Sequence, residues 1–257
     1  MIGRLMRRKL RRDSAISKGK GSAHNFDADA EDYERRLDEG LAISGESSMF
    51  FAKARIAWLA TRLRQLKFAP ETLLDYGCGT GGSTAFFAES LGVRSIVGLD
   101  VSPKSLEKAR TRHASACIEY YLTQEYTPRA NIDVAFCNGV FHHIPPADRQ
   151  NVLRHMTSCV RPGGVLALWE NNPWNPGTRY IMSRIPFDRD AVMVSARQLR
   201  NLATAAGLGV LTTDFCFVFP GPLQGLRRFE RFLTRLPLGG QYLVLCRKGH
   251  ATISMSK

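Results

Sequence analysis

The chain has 257 residues, 44% hydrophobic and 23% charged, which is enough apolar material for the core of one sizeable domain. It holds no uncharged apolar run of about eighteen residues, so no membrane-spanning helix is expected. The net charge of +13 belongs to the ends: residues 1–20 hold eight Lys/Arg and one acid, residues 221–257 hold seven and one, and the rest balances. A polyanion-binding face on the middle of the chain is thereby excluded, and nucleic acid is not an expected partner.

Residues 1–24 are basic and Gly/Ser-containing and read as a disordered, solvated tail. Ile2, Leu5, Met6 and Leu10 also fit a short apolar stripe, as in an interfacial anchor. The Arg-rich, acid-poor composition equally fits a mitochondrial transit peptide. From 25 to 70 the pattern is helical: "DADAEDYERRLDEGL" opens on acids, which suits a helix N-terminus. "SSMFFAKARIAWLATRLRQL" then places Phe50, Ala54, Trp58 and Leu63 near one face.

After Pro70 short apolar runs alternate with helical stretches. "TLLDYG", "SIVGLD", "CIEYYL", "IDVAFCN" and "GGVLALWE" read as strands, with "STAFFAESLG", "SPKSLEKARTRHA" and "PADRQNVLRHMTSCV" as helices between them. This spacing predicts a doubly wound α/β fold, a mostly parallel sheet with helices on both faces. Residues 171–190 read as a long Asn/Pro-rich connection. "SARQLRNLATAAGL" follows as a helix capped by Ser195, then the strand "GVLTTDFCFVF", a basic amphipathic helix in "PLQGLRRFERFLTRL" and a closing strand "GGQYLVLCRK". The expected organisation is a tail (1–24) and a single domain (25–257), made of a helical cap (25–70), a cofactor-binding core (71–219) and a basic helix with a closing strand (220–257). No two of the six cysteines have C-x-x-C spacing, so reduced buried thiols are expected and no metal site.

"LLDYGCGTGGS" ends the first strand in a glycine turn. Such a turn lets a ligand approach the backbone, and the helix after it offers unpaired N–H groups. Two ligand classes use this arrangement, a dinucleotide and S-adenosylmethionine; a glycine turn without a ligand is the third reading. Gly77, Gly79 and Gly82 formally satisfy the dinucleotide pattern G-x-G-x-x-G. Asp75 extends it to D-x-G-x-G-x-G through Gly81, and Asp100 ends the second strand where a carboxylate can accept ribose hydroxyls. A dehydrogenase would need a substrate domain, for which little chain remains after the fifth strand.

Together, "LLDYGCGTGGS", "IVGLDVSPKSLEKAR", "IDVAFCNGVFHHIP" and "VRPGGVLALWE" resemble the class I, seven-stranded, Rossmann-like S-adenosylmethionine-dependent methyltransferases over about residues 25–248. The resemblance implies a last strand that is antiparallel and lies beside the sixth. It implies that Gly77, Cys78, Gly79 and Gly81 line the methionine portion of S-adenosylmethionine, that Asp75 orients its amino group, that Asp100 binds the ribose and that Val101 lies beside the adenine. Gln124 stands where the family usually has an acid for the adenine amino group, with Glu125 as the alternative. Asn138 ends the fourth strand, where cofactor meets substrate. Tyr33 is a candidate to close over the sulfonium, or a helix-packing residue.

For the acceptor, the expected contacts are Asn171, Asn172, Trp174 and Arg179 in "NNPWNPGTRY". Glu170 is expected as a base or substrate hook and His143 as a general base, with a helix-entrance packing role as the alternative for His143. The expected activity is methyl transfer to O, N or C of a small molecule in the cytoplasm, with membrane-surface contact through the basic ends. An RNA or protein methyltransferase and a non-catalytic scaffold are the alternatives.

Overall fold

The computed structural model describes residues 26–27, 32–189 and 191–250. The expected tail, the start of the cap and residues 251–257 lie outside them.

The strands are β1 (Thr72–Tyr76), β2 (Ser95–Asp100), β3 (Ile118–Leu122), β4 (Ile132–Asn138), β5 (Val160–Asn171), β6 (Leu208–Cys216) and β7 (Gln241–Lys248). They form a seven-stranded sheet in the order β3-β2-β1-β4-β5-β7-β6. β1 to β5 pair in parallel, and β7 runs antiparallel between β5 and β6. The order reverses at β1, so the carboxyl ends of β1 and β4 flank the crevice where ligands bind in such sheets.

The helices are α1 (Tyr33–Leu41), α2 (Ser48–Gln65), α3 (Phe87–Leu91), α4 (Pro103–Arg112), α5 (Arg149–Cys159), α6 (Pro176–Arg184), α7 (Ala196–Ala205) and α8 (Glu230–Leu233). Side chains alternate across the pleat, so neighbours in one strand serve different cores. Leu73, Ile96, Val134 and Phe136 pack with Ile56, Leu59 and Leu63 of α2 and Phe87 of α3. Leu74, Leu99, Ala135 and Cys137 pack on the opposite side with Leu153 and Met156 of α5 and Leu199 and Ala203 of α7.

Three local expectations are corrected. The buried face of α2 is Ala52, Arg55, Ile56, Leu59 and Leu63, while Phe50, Ala54 and Trp58 are only partly buried. The predicted stripe was rotated because it left out a charged residue that tertiary contacts bury. Residues 171–190 are not a plain connection. Asn175 accepts from the Thr178 N–H at 2.9 Å, and Pro176 opens α6 at a position where its missing N–H costs nothing. The basic helix before the last strand is mostly 3-10 turns over Gly221–Phe229, with only four α-helical residues after it. Pro222 and Gly225 disfavour a continuous α-helix. Of its apolar residues, Leu226, Phe229 and Phe232 are exposed and Leu233 is partly buried.

Candidate functional site

β1 delivers the glycine turn to the carboxyl edge of the sheet. Gly77 and Cys78 both donate backbone N–H bonds to the Leu99 carbonyl, which ties the turn to β2. Gly77 and Gly79 both have positive φ, at 75° and 55°. A Cβ at Gly77 would strike Val140, whereas one at Gly79 would meet nothing within 4 Å. Among the described residues, bare backbone of the turn faces open space at Gly79 and at Gly82. The Gly79 N–H donates to Asp100 Oδ2 at 2.8 Å, and Ser102 N–H donates to Oδ1 at 2.9 Å. Burial raises the Asp100 pKa; the backbone bonds from Ser102 and Gly79 partly offset it.

Asp75 is buried under this turn and accepts from the Thr84 hydroxyl at 2.6 Å. Burial lifts its pKa to about 7 against the Thr84 bond; Asp100 adds to the rise and Arg55 opposes it. Arg55 comes from α2 and is 7% exposed. Its Nη1 donates to Gln241 Oε1 at 3.0 Å, and Gln241 donates to Asn171 Oδ1 at 3.1 Å. Among the described residues, Arg55 Nε has no hydrogen-bond partner. Burial lowers the Arg55 pKa to about 10, while Tyr33 and Asp75 hold the charge in place.

Beyond the turn lies a cavity of about 380 Å³. Asn138 and Gly139 of the β4 end, Asn171 of the β5 end, Arg55, His143 and Asp188 all contribute to its wall. Tyr33 also faces it and stacks on Phe187 at 4.6 Å between ring centroids. His142 is buried between two carboxylates: Nδ1 donates to Glu170 Oε2 at 2.6 Å, and Nε2 lies 3.4 Å from Asp188 Oδ1. His143 Nε2 lies 3.2 Å from the same Asp188 oxygen. Burial alone would lower the His142 pKa, but the Glu170 charge and the bonds to Asp188 and Glu170 prevail and raise it to about 10. Burial would raise Asp188, but its bonds to His142 and His143 prevail and lower it to about 2.

The structure thus brings Asp75, Gly77, Cys78, Gly79, Gly81 and Asp100 together at one strand edge, with Tyr33, Asn138 and Asn171 on the cavity beside it. Val101 and Gln124 are exposed on the β2–β3 side. Other expected acceptor contacts lie elsewhere. Glu170 is 2% exposed, and its oxygens accept from Phe141 N–H and His142; it holds the β4 loop instead of facing the cavity. Asn172 is buried and donates to the carbonyls of Pro237 and Gly239, stapling the approach to β7. Trp174 and Arg179 are exposed and lie outside the cavity wall. The Asn-Pro steps of this block shape the loop and cap α6.

Sequence reasoning missed Arg55, Asp188 and Gln241. A signal for Arg55 was present: it falls three residues after Ala52 and four before Leu59, on the apolar stripe of α2. Asp188 carried no local signal.

A family model described as a methyltransferase domain matches residues 74–166. A trans-aconitate 2-methyltransferase from Azoarcus is 31% identical over 137 residues, which are 52% of this chain and 53% of that protein. One from Escherichia coli is 28% identical over 120 residues, 47% of each chain. The chain therefore spans about half the length of the curated relatives it matches. Among solved structures, magnesium protoporphyrin IX methyltransferase from Synechocystis, with S-adenosylhomocysteine bound, superposes with a TM-score of 0.61 at 14% identity, covering 88% of this chain and 98% of that one. A methyltransferase from Thermotoga maritima gives 0.60 at 16% identity, with 88% and 99% covered. These likenesses carry the fold, and the sequence match lies on the segment that builds the glycine turn, Asp100 and the β4 loop. Residues 74–166 thus match a methyltransferase domain, set on a seven-stranded sheet with the class I, Rossmann-like methyltransferase fold.

Proposed function

We propose that the protein is an S-adenosylmethionine-dependent methyltransferase whose acceptor is a small carboxylic acid, methylated on oxygen. The observation that carries the cofactor half is the open face of Gly79, set between Asp75 and Asp100, with the unpartnered Nε of buried Arg55 nearby. A carboxylate, an ammonium and a ribose need these groups: a guanidinium, an acid and a second acid. Arg55 would hold the methionine carboxylate, Asp75 the amino group and Asp100 the ribose hydroxyls. S-adenosylmethionine supplies an electrophilic methyl on a sulfonium.

The chain's own task is then to place an acceptor oxygen about 3 Å from that methyl and to keep water out. A carboxylate at neutral pH has no proton to lose, so the chain need supply no general base; the bound donor would supply the methyl carbon, its sulfur keeping the electron pair of the C–S bond. Asn138, Asn171 and His143 on the cavity wall would orient the acceptor. The name of the relatives supports a carboxylate, and the cavity volume suits a small molecule. The test is transfer of labelled methyl from S-adenosylmethionine to a panel of small di- and tricarboxylic acids. Alkali-labile label in the acid supports the reading. Label in bulk RNA or protein, with none in any acid, overturns it.

The outer rim favours a contact with an anionic membrane surface. Leu223, Leu226, Phe229, Phe232, Leu236 and Leu238 are all exposed, Phe232 at 67%. Arg228 and Arg231 cover the Phe229 and Phe232 rings at 4.9 and 4.6 Å. Apolar side chains for the acyl boundary and arginines for lipid phosphates are the two elements of an interfacial contact. Co-sedimentation with phosphatidylserine vesicles, but not with phosphatidylcholine vesicles, is expected, with Phe232→Ser weakening it severalfold. Absence of binding, or binding lost on deleting residues 1–24 and unchanged by Phe232→Ser, overturns it.

A further inference from the structure

The geometry points to a divalent metal site formed by His142, His143 and Asp188 on the wall of the acceptor cavity, suited to zinc or another borderline first-row ion. The three side chains come from two separate parts of the chain: the histidines from the turn after β4, Asp188 from the 3-10 turn Pro186–Asp188. One ligand atom from each lies within 4.8 Å of the others. The separations of Asp188 Oδ1 from the two Nε2 atoms, 3.4 and 3.2 Å, match the edge of a tetrahedron built on zinc bonds of 2.0–2.1 Å, which is about 3.3 Å.

Three further features mark a metal site more than an ordinary hydrogen-bonded pair. Glu170 accepts from His142 Nδ1–H at 2.6 Å, which fixes the ring with Nε2 facing Asp188, where a cation would take the place of the Nε2 proton. A carboxylate behind a ligating histidine is the usual outer support of such centres. Charge is also matched, because two buried carboxylates flank one imidazole and a divalent cation would neutralise them. Finally, all three ligand residues contribute to the cavity wall, so coordination positions remain open toward it. Imidazole and carboxylate donors together suit Zn²⁺, Co²⁺, Fe²⁺ or Mn²⁺. An acceptor with two oxygens could place one on the cation and present the other to the methyl.

The site stands on these residues alone and does not depend on the cofactor reading. The test strips the full-length protein with chelator and titrates it with ZnCl₂ and, separately, CoCl₂. Heat, thermal unfolding and the visible absorption of Co²⁺ are read. One equivalent is expected, with a spectrum free of thiolate charge-transfer bands. Asp188→Asn and His143→Gln should abolish stoichiometric binding, and Glu170→Gln should weaken it about tenfold to a hundredfold. S-adenosylhomocysteine binding by each variant reports on folding. No saturable binding of either ion overturns the proposal, as does binding unchanged in Asp188→Asn or a sulfur-ligated spectrum. If the unmodified protein binds S-adenosylhomocysteine but neither ion, the metal site alone falls; if it binds an ion but not S-adenosylhomocysteine, the cofactor reading alone falls.

Discussion

Asp75 and Arg55 set the electrostatics of the cofactor end. Asp75 is raised to about 7 by burial, so in the free protein it is partly protonated at neutral pH. An ammonium ligand favours its ionised form. Affinity for S-adenosylhomocysteine should therefore rise with pH, about tenfold between pH 6 and 8, and level off above. Asp75→Asn should flatten that profile, as calorimetric titration across the range will show. The stability of the ligand-free protein should run the other way. A carboxyl raised above its unfolded value stabilises fully below about pH 4, and that contribution is lost as pH climbs through 7. The melting temperature should follow that fall. Arg55→Met removes charge-assisted bonds of about 1.5–3 kcal/mol, so the same titration should give a tenfold to hundredfold weaker complex with the fold unchanged. Asp75 and Asp100 were legible because each ends an apolar run at a fixed distance from the glycines. Arg55 was marked only by its place on the apolar stripe of α2; its role was not legible, because a buried guanidinium is tolerated only where distant partners such as Gln241 and Asp75 receive it. Asp188 was invisible for the same reason: its partners sit at the end of another strand.

The elements around the site are joined by a few strong cross-links. α2, which carries Arg55, is fastened to β6 through Asp214. That carboxylate is fully buried and accepts from Arg62 Nε at 2.6 Å, Arg62 Nη2 at 2.7 Å and Trp58 Nε1 at 3.0 Å. Arg62→Met would leave Asp214 uncompensated in the core. A loss of about 3–5 kcal/mol in urea unfolding is expected, together with weaker cofactor binding as α2 loosens. Such pairings are long-range, so the face of α2 could not be assigned from spacing alone. The strands were easier, since runs such as "IVGLD" and "VLALWE" are apolar on both faces, as the inner strands of a two-sided sheet must be. The segment before β7 misled because its apolar periodicity was helical while Pro222 and Gly225 prevent the helix. Its exposed phenylalanines belong to a surface, not to a core.

Across the whole molecule, the carboxyl edge of one sheet gathers the three proposed sites. β1 and β2 hold the glycine turn and its two acids. β4 and β5 end in the histidine pair and Asn171 at the acceptor cavity. The connection before β7 forms the apolar, arginine-rich rim. No helix among the described residues is long and apolar enough to cross a membrane. The central claim is that the glycine turn holds the methyl donor. Thermal unfolding with S-adenosylhomocysteine, with NAD as the control, tests it most directly. At about a hundred times its dissociation constant the ligand adds roughly 2.7 kcal/mol, a rise of a few degrees for a domain of this size. The account predicts that rise with S-adenosylhomocysteine alone, diminished in Arg55→Met. No shift at saturating concentrations, or an equal shift with NAD, would contradict it.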